Sequence, residues 1–148
     1  AVLRYPRAMA LRITIPETPS EADREAILAP LRAYNISRAG DPRIRPVAVL
    51  LTDEQGLHVG GLWGKLAYDW LFIELLAVPE AHRGKRYGAA LMEQAESIAN
   101  ASECAGIWLD TYEFQARGFY EKLGFQVFGT LDDHPAGQKR YFLRKHLR

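Results

Sequence analysis

The sequence is poor in the features that mark disulfide-rich, membrane-spanning or nucleic-acid-binding proteins. Cys104 is its one cysteine, which excludes an internal disulfide framework. No uninterrupted apolar run reaches the length of a transmembrane helix, and the first ten residues lack the apolar region of a signal peptide. Lysine and arginine total 19 against 18 acidic residues, so the net charge of +1 provides no overall basic field. These absences predict a cytoplasmic protein that binds neither nucleic acid nor a membrane.

Length and patterning predict one mixed α/β domain over residues 1–148, because the chain is long enough for a core and contains no repeat or linker. Alternation predicts a first strand at Leu11–Ile15. Thr18 and Pro19 predict the start of a helix with a buried apolar stripe, and Pro30 is expected to kink or divide it near Ala29. Six further strands are predicted, at Val47–Thr52, Leu57–Tyr68, Trp70–Val78, Ala105–Asp110, Phe125–Leu131 and Lys139–Leu147.

The segment from Trp70 to Ala101 has the order of an anion-binding site. An apolar strand ends at Pro79, a basic turn with two glycines follows, and an amphipathic helix begins directly after it. The amides at a helix N-terminus have no intrahelical acceptor and carry the positive end of the helix dipole, so they favour phosphate. The alternative to an anion-binding site is a strand, a solvated basic turn and a helix that bind no ligand.

The same turn, Arg83-Gly84-Lys85-Arg86-Tyr87-Gly88-Ala89, resembles the pyrophosphate-binding loop of the GNAT superfamily of N-acetyltransferases. Arg86 stands where that pattern has its first glycine, so we expect its side chain to lie along the phosphates without a left-handed backbone. A second segment, Ala116 to Phe125, resembles the GNAT sequence in which Tyr-Glu-Lys-Leu-Gly-Phe follows a strand. The two motifs together cover the chain from about Trp70 onward.

This resemblance implies a GNAT-like central mixed sheet of about seven strands, antiparallel in its first half. It implies that the fourth and fifth strands are parallel and splay apart, and that acetyl-CoA lies in the gap. The cofactor-binding residues that it implies are the backbone of Leu76 and Val78 and the loop residues Arg83, Gly84, Lys85, Arg86, Tyr87, Gly88 and Ala89. The implied reaction is direct transfer of an acetyl group to a primary amine.

Tyr120 matches the GNAT tyrosine that donates a proton to the departing thiolate. Glu74 is the leading candidate for the base that deprotonates the amine, because it interrupts an apolar strand and a buried carboxylate is a stronger base. A structural ion pair is the alternative role for Glu74. Asp110, at the end of the next strand, is the second candidate.

The acceptor is expected to be a cationic amine on a small molecule or a peptide. Four carboxylates near the ends of the predicted strands are candidates for binding it: Asp110, Glu113, Asp132 and Asp133. The aspartates at 132 and 133 are equally well explained as turn formers. In that case the aromatic residues Tyr34, Trp63 and Tyr112 are the candidates.

Two further interpretations stay open from the sequence. The chain could be a non-catalytic acyl-CoA sensor that keeps the phosphate loop but transfers nothing, and it could form a homodimer. The four histidines are not spaced as metal ligands, so no metal site is predicted.

Overall fold

A computed structural model describes residues 10–148 and divides the chain into two units, Ala1–Asp41 and Pro42–Arg148. The first unit is described from residue 10 onward. The single domain expected over residues 1–148 stays a prediction.

The described residues of the first unit, 10–41, contain one helix, α1 (Glu21–Ala39), which follows an irregular segment. The strand predicted at Leu11–Ile15 was wrong, since this segment has no regular secondary structure and Leu11, Ile13 and Ile15 are each more than 90% exposed. Alternating side chains give a strand only where a neighbouring strand completes the hydrogen-bond ladder. The sequence pattern alone does not supply that neighbour.

Helix α1 begins later than predicted because Ser20, not Thr18, is its N-cap. The Ser20 hydroxyl accepts a hydrogen bond from the Asp23 amide at 3.1 Å, and the Asp23 carboxylate accepts one from the Ser20 amide at 2.8 Å. This reciprocal capping box satisfies two backbone donors at once. The helix continues through Pro30, so the predicted division near Ala29 is absent. The predicted buried stripe is also wrong, because no residue of α1 is buried.

Within the described part of the second unit, six strands form one mixed sheet in the order β1-β2-β3-β4-β6-β5. The strands are β1 (Arg45–Thr52), β2 (His58–Ala67), β3 (Trp70–Ala77), β4 (Gly106–Tyr112), β5 (Gln126–Asp132) and β6 (Lys139–His146). Only β3 and β4 pair in parallel, and helix α2 (Tyr87–Ala101) crosses between them. The mixed fold and the parallel pair are confirmed, with one strand fewer than the expected seven.

The glycines of β2 allow close approach of its neighbours. Gly61 has φ of +141°, and a Cβ there would collide with the carbonyl oxygen of Val49. A Cβ at Gly64 would collide with the carbonyl oxygen of Phe72 on the other side. The strand can therefore lie between β1 and β3 only with these residues lacking side chains.

Strands β3 and β4 separate halfway along their length. Their pairing runs from Trp70 opposite Gly106 to Ile73 opposite Leu109 and ends there. At the same point Glu74 is an extra residue in β3, because Ile73 and Leu75 pair with consecutive residues of β2. A β-bulge bends its strand and increases the local twist, which accounts for the divergence of the two strands.

The core of the second unit lies between the sheet and two helices, α2 and the short α3 (Arg117–Lys122). Fully buried side chains include Leu71, Ile107, Leu109, Leu143 and Cys104. Cys104 is buried in this core, and burial raises the pKa of its thiol. This residue therefore has a packing role in the core.

Candidate active site

A cleft of about 1050 Å³ opens where β3 and β4 separate. Its walls are the second half of β3, the turn and first residues of α2, the end of β4, and α3 with the residues before it. The volume is at the upper end of the range for small-molecule sites. The gap that the sequence led us to expect between the two strands is present.

The turn into α2 closes one end of this cleft. All of the loop residues predicted to bind pyrophosphate line it except Lys85: Arg83, Gly84, Arg86, Tyr87, Gly88 and Ala89. The first helical hydrogen bond runs from the Ala90 amide to the Arg86 carbonyl at 3.0 Å. The amides before Ala90 therefore have no acceptor within the helix, as an anion site requires.

Arg86 adopts the left-handed conformation, with φ of +68° and ψ of +15°, and is the N-cap of α2. The expectation that it would avoid positive φ was wrong. The turn needs that conformation to direct the chain into the helix, whichever residue is present. A non-glycine residue in this region costs about 1–2 kcal/mol, so the fold is strained at this position.

The side chain of Arg83 is hydrogen-bonded to the backbone just after the end of β3. Its Nε donates to the carbonyl oxygen of Val78 at 3.2 Å. This bond fixes the turn against the end of the strand. Arg83 therefore has a structural role, in addition to the phosphate contact that the family resemblance implies.

The residues present fit acetyl-CoA. Past Ile73 the backbone of β3 has no β4 partner, and Leu76 and Val78 line the cleft on that side. A Cβ at Gly88 would lie 3.2 Å from Cζ of Phe119, so the glycine keeps α2 and α3 close without blocking the cleft. An extended chain can thus pair along β3 and end on the helix N-terminus.

Tyr120 projects from α3 into the cleft and is only 7% exposed. Its ring meets the rings of Phe119 and Phe125 edge to face, at centroid distances of 5.1 and 6.0 Å. Burial, with a smaller contribution from the Asp110 charge, raises the pKa of Tyr120 to about 12. The phenol is therefore protonated at neutral pH, as a proton donor must be.

Glu74 lines the cleft at the bulge but is exposed, so its expected burial was wrong. The sequence shows an apolar run around it, but the bulge and the separation of the strands bring the position to the surface of the cleft. The argument that burial makes it a stronger base no longer applies. Its position beside the gap is what supports a role for it.

Asp110 is held by an ion pair with Arg140 from the neighbouring strand. Nε and Nη2 of Arg140 lie 2.9 and 2.7 Å from one carboxylate oxygen. The side chains are 17% and 28% exposed, so this pair is partly shielded from water. Asp110 is thus a fixed negative charge close to Tyr120.

Glu113, Asp132 and Asp133 are not among the residues that line the cleft in the described part of the chain. The Glu113 carboxylate accepts from the Lys139 amide at 2.8 Å, and Asp132 lies 3.7 Å from the Lys139 ammonium. Asp133 accepts from the Gly137 amide at 3.2 Å, as a turn former does. A role of these three carboxylates in acceptor binding stays a prediction, and the contacts that hold them lie within their own part of the second unit, away from the cleft lining.

Sequence reasoning missed the residues that connect β4 to α3. Gln115 accepts hydrogen bonds from the Tyr112 amide at 2.8 Å and the Thr111 hydroxyl at 3.2 Å, which fixes this turn. The same turn brings Phe114 into the cleft. The exposed phenylalanine between two polar residues, Glu113 and Gln115, was the available signal.

Comparison with known proteins identifies the class of protein. The model of the acetyltransferase (GNAT) family matches residues 9–125. The chain belongs to this family.

Two curated relatives and two solved structures are similar over most of their lengths. Acetyltransferase Atu2258 of Agrobacterium fabrum is 36% identical over 86% of this chain and 93% of its own. Blasticidin-S acetyltransferase of Streptomyces morookaense is 33% identical over 84% of this chain and 91% of its own. A crystal structure from Agrobacterium tumefaciens has a TM-score of 0.88 at 32% identity, covering 93% of this chain and all 100% of that one. An acetyltransferase from Bacillus cereus has a TM-score of 0.81 at 31% identity, covering 90% and 98%.

The protein is therefore an N-acetyltransferase with acetyl-CoA as its co-substrate. Enzymes of this family act on amines of small molecules or peptides. Within residues 10–148 no helix combines the length and the apolar character needed to cross a membrane.

Proposed function

We propose that the protein acetylates a primary amine on a cationic small molecule, with Glu74 as the base and Tyr120 as the acid. One observation carries this proposal. Glu74 and Asp110 are the residues that directly follow the last pair of β3 and β4, and both line the same cleft as Tyr120. A thioester in this gap would have a proton acceptor on one wall and a proton donor on the other.

Acetyl-CoA supplies an activated acetyl group as a thioester. Glu74 accepts a proton from the ammonium group, directly or through one water, which frees the nitrogen lone pair to form a bond to the carbonyl carbon. As the carbon–sulfur bond breaks, Tyr120 gives its proton to the leaving sulfur. As the amide forms, the nitrogen loses its second proton to solvent, Glu74 releases the first one, and Tyr120 regains a proton from solvent. The products are an N-acetyl amine, the free thiol and one proton.

Glu74 is a better base than Asp110 on structural grounds. One carboxylate oxygen of Asp110 already accepts from the guanidinium of Arg140, so this carboxylate is less available to an incoming ammonium group. Asp110 instead places a negative charge near Tyr120. This charge disfavours the phenolate, so Tyr120 is protonated before the thiolate leaves. Among the described residues, Glu74 forms no ion pair.

A small cationic acceptor is supported by two facts. Glu74 adds negative charge to the cleft, which favours a cation. One relative similar over most of its length is named for acetylation of blasticidin-S, a small molecule. A peptide amine is the second candidate, since the family includes enzymes that act on peptides.

Thiol release from acetyl-CoA in the presence of a panel of primary amines tests this proposal. Tyr120→Phe and Glu74→Gln should each lower kcat by roughly a hundredfold or more, while acetyl-CoA affinity measured by calorimetry changes little. Tyr68→Phe and Glu93→Gln are matched controls, because neither residue lines the cleft and both are solvent-accessible. Wild-type turnover in Tyr120→Phe or in Glu74→Gln would remove that residue from the mechanism.

A further inference from the structure

Strand β4 has two faces. One packs toward α2 on the cofactor side of the cleft, and the other faces away from α2. Ile107, Leu109 and Thr111 are buried on the face that packs against α2. Because side chains alternate along a strand, Asp110 and Tyr112 lie on the opposite face. The phosphate-binding turn belongs to α2, so the face with Asp110 and Tyr112 is the one left for an acceptor.

Two aromatic rings stack at the end of β4, and the second of them, Phe114, lines the cleft. The rings of Tyr112 and Phe114 are parallel to within 5°, with centroids 5.4 Å apart. Arg140 lies over the ring of Tyr112 at 5.2 Å, and the ring of His134 is tilted against it at 5.4 Å. Tyr112 is thus held by several neighbours, whereas Phe114 is 61% exposed and lines the cleft.

An exposed phenylalanine whose ring is held in this way is suited to stacking against a planar ring of a ligand. Tyr112 fixes the plane of the Phe114 ring, so the platform is preorganised and little conformational freedom is lost on binding. Aromatic rings favour offset stacking, and any planar ring can provide the partner surface. A saturated ring of the same size would gain burial but not stacking.

We infer that Phe114, supported by Tyr112, binds a planar aromatic or heteroaromatic ring of the acceptor while its amine reaches the gap beside Glu74. This inference rests on the acceptor site proposed above and names the substrate class. Asp110 and Tyr112 are two strand residues apart, roughly 7 Å. The amine is therefore carried on a short chain that spans the distance from the ring to the gap.

The test compares 3-phenylpropylamine with 3-cyclohexylpropylamine, which have the same chain length and charge. Stacking should make kcat/KM for the phenyl compound roughly 3- to 10-fold higher in the wild type. Phe114→Leu should remove this preference, chiefly through KM, and Phe114→Trp should keep it. Phe128→Leu is a matched control, because Phe128 is also exposed, at 47%, but does not line the cleft.

Equal kcat/KM for the two amines in the wild type, or a preference that survives in Phe114→Leu, would overturn the inference. Failure of the proposed function has a different signature, namely that no amine of any kind releases thiol. In that case saturation-transfer NMR with the enzyme and free coenzyme A measures binding of the same two amines. Preferential binding of the phenyl compound that depends on Phe114 supports the ring site, and equal binding refutes it.

Discussion

Replacing Arg86 by glycine separates the effect of this position on fold stability from its effect on cofactor affinity. The residue holds the left-handed turn that starts α2, and its side chain lines the cleft next to the helix N-terminus. Glycine adopts the same backbone conformation without strain but has no guanidinium. Fold stability and cofactor affinity should therefore change in opposite directions.

The magnitudes follow from the structure. Relief of left-handed strain is worth about 1–2 kcal/mol. The added freedom of glycine in the unfolded chain costs roughly 0.5–1 kcal/mol, so the variant should be about 0–1.5 kcal/mol more stable. Loss of a charged hydrogen bond to phosphate is worth roughly 1–3 kcal/mol. Arg86 is exposed, and solvent screening puts the loss at the lower end, so the Kd for acetyl-CoA should rise about 5- to 10-fold.

Urea denaturation measures the first quantity and isothermal titration with acetyl-CoA the second. Glu103→Gly is a matched control, because Glu103 is also a non-glycine residue at positive φ, +56°, and does not line the cleft. It should show a similar change in stability and no change in affinity. Arg86→Ala should lose affinity without gaining stability, since alanine keeps the strain.

An unchanged Kd in both Arg86→Gly and Arg86→Ala would refute the phosphate contact. It would mean that only the backbone of this residue matters to the site. A large loss of stability in Arg86→Gly would instead refute the strain argument.

Two other predictions concern the helices beside the cleft. Gly88→Ala places a Cβ 3.2 Å from Phe119 and should raise KM for acetyl-CoA several-fold, whereas Gly118→Ala meets nothing within 4 Å and should leave KM unchanged. Steady-state kinetics that show the same KM in both variants would contradict this. Burial raises the pKa of Tyr120 to about 12, so the stability that it contributes is complete below about pH 10 and is lost as pH rises through the folded-state value. Urea titrations should then show the wild type losing about 1 kcal/mol more than Tyr120→Phe by pH 11, and equal losses would argue against it.

Features that depend on a few neighbouring residues could be predicted from the sequence. Gly56, in the loop between β1 and β2, has a positive φ of +82°, which glycine adopts without strain. Pro79 follows the end of β3, and the helix after the basic turn begins at Tyr87. Gly124 ends α3 with φ of +94°. Each of these is decided by backbone conformation and hydrogen bonding within one turn of chain, so the information is contained in the local sequence.

Features that depend on distant contacts were decided only by the tertiary structure. Glu74 lies in an apolar sequence, yet the bulge against β2 and the divergence from β4 expose it. Asp110 is held by Arg140, thirty residues away, and the same Arg140 lies over the ring of Tyr112, on which Phe114 stacks. Sequence reveals which residues can ionise or stack, but solvent exposure and partners are properties of the packed chain. The local sequence therefore determined where the turn into α2 lies, while the arrangement of the proposed reacting groups required the fold.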